Sequence, residues 1–352
     1  MLKSEEIIPI EYLKASNLHC LAAHVFISSE GSVAHLDSGT WLNKQWQSVS
    51  KPTDSYATFS LGFLKQNNDS YIVGAYTNKQ YRIVPNYWKN GIFNKLPLTT
   101  AVRKFERGMA QGISFIGNSL IIGGHVEKNR RPGGEQACLW INDKLILLNQ
   151  NEDTPFKYSR VFKVFGHNGD HYAIGMNCDQ FNKSYAGYWK NGEWIEVESG
   201  RRLKIGVDSI GYDENTNELI LVGIKHTHQQ QPGMWRSNSW IPFEKLGTTH
   251  NPTDIVFGSD GLYVSGEIYG NNTRIPGYWK NGQWFSLPTL IKGHVLSGSA
   301  RSINFINGKL IVGGAVYDEI SNTTRACVWE DGRIILFPMN VNEGRTSVLE
   351  LL

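Results

Sequence analysis

Tyr278-Trp279-Lys280-Asn281-Gly282-Gln283-Trp284-Phe285-Ser286-Leu287-Pro288 sets an Asn-Gly pair between aromatic residues. Asn-Gly is the strongest short-range signal for a two-residue type I′ turn, because both central residues need positive φ. Aromatic residues on each side favour strands, and a pair facing across the turn adds roughly 0.2–1 kcal/mol. A helix through the same stretch would hold Gly282 in its interior at a cost of about 1 kcal/mol. The stretch therefore reads as one strand, a tight turn and the next strand.

The phrase recurs as Tyr188-Trp189-Lys190-Asn191-Gly192-Glu193-Trp194 and as Tyr87-Trp88-Lys89-Asn90-Gly91. Weaker copies surround Trp41, Trp140, Trp235 and Trp329, so a key tryptophan returns every 44 to 52 residues. Seven copies at this period fit four-stranded propeller blades. Each repeat also has a regular first half. Ser302 to Gly314 reads as a strand, an Asn307-Gly308 turn, and a second strand ending on two glycines. Gly112 to Gly124, Val161 to Gly175 and Asp254 to Gly266 follow the same plan. The blade is thus strand A, tight turn, strand B, longer loop, strand C with the key tryptophan, Asn-Gly turn, strand D. The strand-B glycines are expected to allow close backbone approach between blades.

The predicted fold is all-β: a seven-bladed β-propeller of WD40-like architecture, four antiparallel strands per blade, one domain over residues 1–352. Strand A of the first repeat has two candidates, Ile7 to Leu13 and Arg345 to Leu351. The second resembles Arg301 to Phe305, so the C-terminal strand is expected to close the ring and residues 1–16 to lie peripherally. An unclosed ring would leave an exposed strand edge.

Composition narrows the function classes only slightly. Net charge is +3, the 36 glycines suit many tight turns, and no stretch of 18 apolar residues suggests a membrane span. Residues 1–6 lack the apolar segment of a signal peptide. The four cysteines form no Cys-x-x-Cys pair, and Cys138 and Cys327 stand where Gly187, Gly233 and Gly277 stand in other copies. They read as small buried strand residues. His226 and His228 sit two apart without an evident third ligand, so no metal is expected, and no cofactor motif is present.

Ala300 to Pro338 resembles the HAF-type tandem repeats of bacterial proteins, through Ser302-Ile303-Asn304, Ile311-Val312-Gly313 and Ala326-Cys327-Val328-Trp329-Glu330-Asp331-Gly332. The resemblance implies a bacterial source and a propeller. It departs where the family's Phe is Cys, Gly or Tyr and where the Asp-Leu-Gly ending is missing, and it transfers no catalytic residue.

In such a fold the longer B–C and D–A loops share one face around the channel mouth. Cations outnumber carboxylates there, which suits a protein, glycan or other anionic ligand, and nucleic acid is not expected. Strand A is innermost, so residues entering it should ring the mouth: Tyr56, Gln111, Arg160, Asp208, Asp254, Arg301 and Arg345. One reading has Arg160, Arg301 and Arg345 forming an anion seat, since guanidinium forks suit carboxylate or phosphate. The other pairs Arg160 with Asp208 and Arg301 with Asp254. Two functions follow: a non-enzymatic binding scaffold, or a hydrolase- or lyase-type enzyme at the channel mouth.

Overall fold

A computed structural model describes residues 19–27, 33–42, 45–128, 134–148, 156–179, 181, 183–199, 204–226, 230–270, 273–291, 294–295, 297–318, 323–337 and 343–351. The N-terminal segment 1–16 lies outside them. The described chain is all strand and turn. β1 (His19–Ile27), β2 (Val33–Leu42) and β3 (Gln45–Ser48) come first. Then follow β4 (Ser55–Gln66), β5 (Asp69–Asn78), β6 (Ile83–Lys89) and β7 (Ile92–Lys95). The next set is β8 (Arg107–Ile116), β9 (Ser119–Glu127), β10 (Glu135–Ile141) and β11 (Lys144–Leu147). After it come β12 (Phe156–His167), β13 (Asp170–Asp179), β14 (Ser184–Lys190) and β15 (Glu193–Ser199). β16 (Lys204–Asp213), β17 (Glu218–His226), β18 (Gln230–Arg236) and β19 (Ser239–Pro242) precede β20 (Thr249–Gly258), β21 (Gly261–Gly270), β22 (Thr273–Lys280) and β23 (Gln283–Ser286). A small hairpin, β24 (Leu290–Ile291) and β25 (His294–Val295), leads to β26 (Ser297–Ile306), β27 (Lys309–Asp318), β28 (Thr323–Glu330), β29 (Arg333–Leu336) and β30 (Glu343–Leu351).

These strands form a β-propeller. Five sheets have four antiparallel strands in simple sequence order, and a sixth has eight. The expectation of seven separate blades is corrected here: the blade sheets number six. The reason is one parallel pairing, Thr324 opposite Arg345, which joins β28 to β30. β30 also pairs antiparallel with β1, so the strands of the last repeat and of the first share a sheet.

The repeated phrase explains the hairpins. Asn90-Gly91, Asn191-Gly192 and Asn281-Gly282 all have positive φ at both residues, as type I′ turns require. The Asn side chain does a second job. Asn281 Oδ1 accepts from Leu262 N at 2.9 Å, Asn191 Oδ1 from His171 N at 2.9 Å, and Asn90 Oδ1 from Ser70 N at 2.8 Å. The C–D turn thereby caps the A–B turn beside it, and both tight turns lie at one end of the blade.

The key tryptophans form the blade cores. Trp88, Trp140, Trp189, Trp235, Trp279 and Trp329 are all fully buried. Four of them donate Nε1 to a carbonyl just past the D strand of the preceding repeat: Trp88 to Ser50, Trp140 to Pro97, Trp279 to Glu244 and Trp329 to Pro288. Those four repeats are thus pinned to the one before, and Trp235 Nε1 reaches back to Glu198 Oε2 of the preceding repeat at 2.8 Å. Trp194, Trp240 and Trp284 face Trp189, Trp235 and Trp279 at 4.8, 4.4 and 4.5 Å between ring centroids. A Cβ on Gly187, Gly233 or Gly277 would meet those second indoles at 2.7, 2.5 and 2.3 Å. Where the facing residue is smaller, Leu145 opposite Trp140 or Ile334 opposite Trp329, the position holds buried Cys138 or Cys327. This is why cysteine and glycine exchange there.

Every A strand from β4 to β26 carries a β-bulge at the same place. The residue left without a ladder partner is Leu61, Gln111, Phe162, Asp208, Thr253 or Arg301. Each bulge follows a residue paired with a strand-B glycine. A Cβ on Gly74, Gly124, Gly175, Gly223 or Gly314 would lie 2.0 Å or less from an A-strand carbonyl oxygen of its own blade. These glycines serve an approach within the blade, whereas Gly123 beside them serves one between blades: a Cβ there would meet Val164 and Val161 of β12 at 2.4 and 2.5 Å. Gly175→Ala should cost about 1–3 kcal/mol by overpacking the β12 bulge, read as a lower denaturant midpoint. An unchanged midpoint would show that the bulge does not need the glycine.

Candidate functional site at the channel

The A strands touch one another in the order β4, β8, β12, β16, β20, β26, and β30 touches both β26 and β4. The residue after each bulge points to the next A strand. A Cβ on Gly62 would meet the Gln111 carbonyl at 2.4 Å, and one on Gly112 would meet Lys163 Cα at 2.8 Å. At the next positions real side chains make the reach. Lys163 Nζ donates to Ser209 Oγ at 3.0 Å and to Asp254 Oδ1. Ser209 Oγ donates to Asp254 Oδ1 at 3.2 Å, and Asp254 Oδ2 accepts from Ile303 N at 3.4 Å. One polar clip thus ties β12, β16, β20 and β26 together around the axis.

Beside the clip are polar atoms without a hydrogen-bond partner among the described residues: Gln111 Oε1, Asp208 Oδ2 and Ser302 Oγ. Burial pushes the Asp208 carboxyl up to about 7. Near neutral pH it is part protonated, able to donate as well as accept. Arg301, half-buried on the β26 bulge, makes no ion pair among the described residues. Ser209 is fully buried. It fixes the clip and is out of reach of a substrate as a nucleophile.

Above this belt, at the loop end, β8, β9, β10 and β12 bring a second cluster together. Arg160 Nη2 lies 2.6 Å from Glu135 Oε1, and Arg107 Nη1 lies 4.0 Å from Glu127 Oε2. His125 Nε2 stands 3.6 Å from Glu127 Oε1. The His125 contact, helped by the fields of His125, Arg107 and Arg160, holds the Glu127 carboxyl below its ordinary value against the effect of burial. Burial, with Cys178 alongside, pushes the Tyr158 hydroxyl up to about 12. Arg107 Nε, Arg160 Nε and His125 Nδ1 are buried without described partners. What the rim presents to solvent is the Arg160 side chain, 39% exposed, and that of Arg107, 20% exposed.

Of the residues expected at the mouth, Gln111, Asp208 and Arg301 occupy equivalent bulge positions. Asp254 stands one residue beyond its bulge, and Arg160 two residues before. Tyr56 sits at the start of β4, 55% exposed, with its ring 5.8 Å from that of Tyr81. Arg345 lies on β30, and its side chain is outside the described atoms. The expected pairs are corrected: Arg160 takes Glu135 instead of Asp208, and Asp254 takes Lys163 instead of Arg301. The basic loop face is also partly neutralised, since Lys225 pairs with Glu198 at 2.6 Å and Arg274 with Glu267 at 3.7 Å. Lys163 and Ser209 were missed, although a lysine inside Val161-Phe162-Lys163-Val164-Phe165 was a visible anomaly.

Among the described residues no group of three His, Cys, Asp or Glu side chains is placed to hold a metal. His226 contacts Gln230 at 3.2 Å, and His228 lies outside the described residues. No described helix is long and apolar enough to cross a membrane.

No family model matches the chain, and no curated protein matches it. Solved structures do. A puromycin hydrolase superposes with a TM-score of 0.61 at 7% identity, over 96% of this chain and 56% of that one. A prolyl endopeptidase gives 0.55 at 10%, over 91% and 51%. The Trypanosoma rangeli sialidase, with 2,3-difluorosialic acid as a covalent intermediate, gives 0.51 at 10%, over 84% and 55%. The chain spans little more than half the length of each of these proteins. At such identities the likeness is one of fold, and the fold that it shows is the β-propeller.

Proposed function

We propose that this chain is a binding scaffold whose ligand, a glycan, a peptide or another molecule bearing an anionic group, enters the loop face and settles on the belt. The observation that carries this reading is Arg301, half-buried on the β26 bulge and without an ion pair among the described residues. Gln111 and Asp208 stand half-buried at the equivalent bulges of β8 and β16, with the partly exposed side chains of Arg107 and Arg160 at the loop end above them. Hydrogen bonds from a guanidinium to an anionic group are among the strong ones, so a ligand bearing such a group gains affinity and orientation together. Arg301 supplies the positive charge that Arg160 shares with Glu135.

The eight-stranded sheet is part of the same proposal. We take it as two repeats side by side, making a ring of seven repeats in one domain closed by β30. Its contacts with β26 on one side and β4 on the other support this. The HAF-type resemblance is consistent with such a repeat ring.

A second reading has one observation in its favour. A carboxyl titrating near 7, as Asp208 does, is matched to general-acid work at neutral pH. In that case the belt would serve a hydrolase or lyase.

A glycan and peptide array, followed by a Gln111→Ala, Arg301→Ala double variant, separates the readings. The scaffold reading expects a ligand recovered unaltered, bound roughly a hundredfold more weakly by the variant. Equal binding by a folded variant would refute the seat, and a chemically altered ligand would favour the enzyme.

A further inference from the structure

The three full copies of the repeated phrase build the same side-chain group at the tight-turn end, away from the belt. Lys280 Nζ meets Asp260 Oδ2 at 2.5 Å and lies 5.2 Å over the Tyr263 ring, whose hydroxyl donates to Asp260 at 2.8 Å. Lys190, Asp170 and Tyr172 repeat it, with the ion pair at 2.7 Å, as do Lys89, Asp69 and Tyr71 at 2.8 Å. The second tyrosine of each group, Tyr278, Tyr188 or Tyr87, faces the following repeat.

Two of these three places open into clefts between repeats. The larger, about 300 Å³, is lined by Tyr263, Tyr278, Lys280 and Phe285 on one side and by Trp329 and Asp331 on the other. The smaller, about 150 Å³, has Tyr188 against Trp235, Ser237 and Asn238. Tyr188 matches Tyr278, Trp235 matches Trp329, and Ser237 matches Asp331 in the repeat. At the third place Tyr87 is buried beside Asp143.

The larger cleft has two kinds of wall. Tyr278 and Phe285 stack at 5.5 Å and 13°, and Phe285 is 39% exposed. Lys280, Asp260 and Asp331 bring donors and acceptors to the same end. A flat aromatic wall beside a polar rim suits a pyranose, whose C–H face packs on a ring while its hydroxyls bridge charged groups. The volume is at the small end of ligand pockets, the size of one sugar unit.

We propose that the cleft between β21–β23 and β27–β28 is a saccharide site that takes one neutral pyranose unit, separate from the belt. The cleft of Tyr188 is its smaller counterpart and takes none.

N-acetylglucosamine, methyl β-galactoside and methyl α-mannoside at millimolar concentration are the probes. The reporter is the indole N–H resonance of Trp329, which lines the cleft and donates to Pro288 O at 2.8 Å. One of the three sugars should shift it, saturating at one site per chain. Phe285→Ala should weaken that binding roughly tenfold or more, with an unchanged melting temperature because Phe285 is partly exposed. Lys280→Met should weaken it as well, and Gln111→Ala should leave it unchanged. No shift with any sugar, equal binding by Phe285→Ala, or loss in Gln111→Ala would each overturn the assignment. So would a proline-rich peptide shifting Trp329 where the sugars do not.

Discussion

Trp279→Ala is expected to lower stability by about 3–5 kcal/mol. The indole is fully buried, packs on Trp284 and Phe243 at 4.5 and 5.9 Å, and donates Nε1 to Glu244 O at 3.0 Å. Truncation opens a cavity where β20–β23 meets the preceding repeat and leaves the Glu244 carbonyl without its donor. Calorimetry or denaturant unfolding measures the loss. A melting temperature within a degree or so of the parent would mean that the tryptophan does not hold the blades together, and the pinning of repeat to repeat would have to be abandoned.

Asp208→Asn should change how stability depends on pH. The folded-state value of the carboxyl, about 7, lies above its ordinary value of 3.8. Between the two the folded chain holds a proton that the unfolded chain has released, so stability falls as pH rises through this window and levels off above it. A shift of this size corresponds to about 4 kcal/mol at most. Asparagine cannot ionise. The variant should therefore match the parent near pH 4 and exceed it near pH 8. Parallel pH–stability curves for the two proteins would show that Asp208 is not held in a charge-averse place.

Much of the architecture was legible because it is local chemistry written repeatedly. Asn281-Gly282 declares its turn by the φ it needs; Asn281 Oδ1 caps Leu262 N, and its Nδ2 donates to Asp260 O, which an aspartate could not do. The key tryptophans were legible as packing residues from their fixed place before the turn. The blade count was less so: seven tryptophans mark seven repeats, yet hydrogen bonding at Thr324 and Arg345 merges sheets through a single contact that no local pattern announces.

The site was legible only in part, and the bulge is why. The bulge residue varies from Leu61 and Phe162 to Gln111, Asp208 and Arg301, so a reading that looked for a polar residue in every copy placed Arg160 and Tyr56 with Gln111 when the true equivalents are Phe162 and Leu61. Charge pairing was harder still. Arg160 finds Glu135 on β10, and Lys163 reaches Asp254 two A strands away. Such partners come from contacts between sheets far apart in sequence, which no local pattern announces.

A ligand seated on Gln111, Asp208 and Arg301 shields the bulges of β8, β16 and β26. Amide hydrogen exchange with and without the array-selected ligand reads this, because a bulge leaves a residue outside the strand ladder. Slower exchange is expected in the segments containing Gln111, Asp208 and Arg301 when ligand is present, with the outer D strands unchanged. Protection confined to the D strands or to the tight turns, with those three segments unaffected, would contradict it.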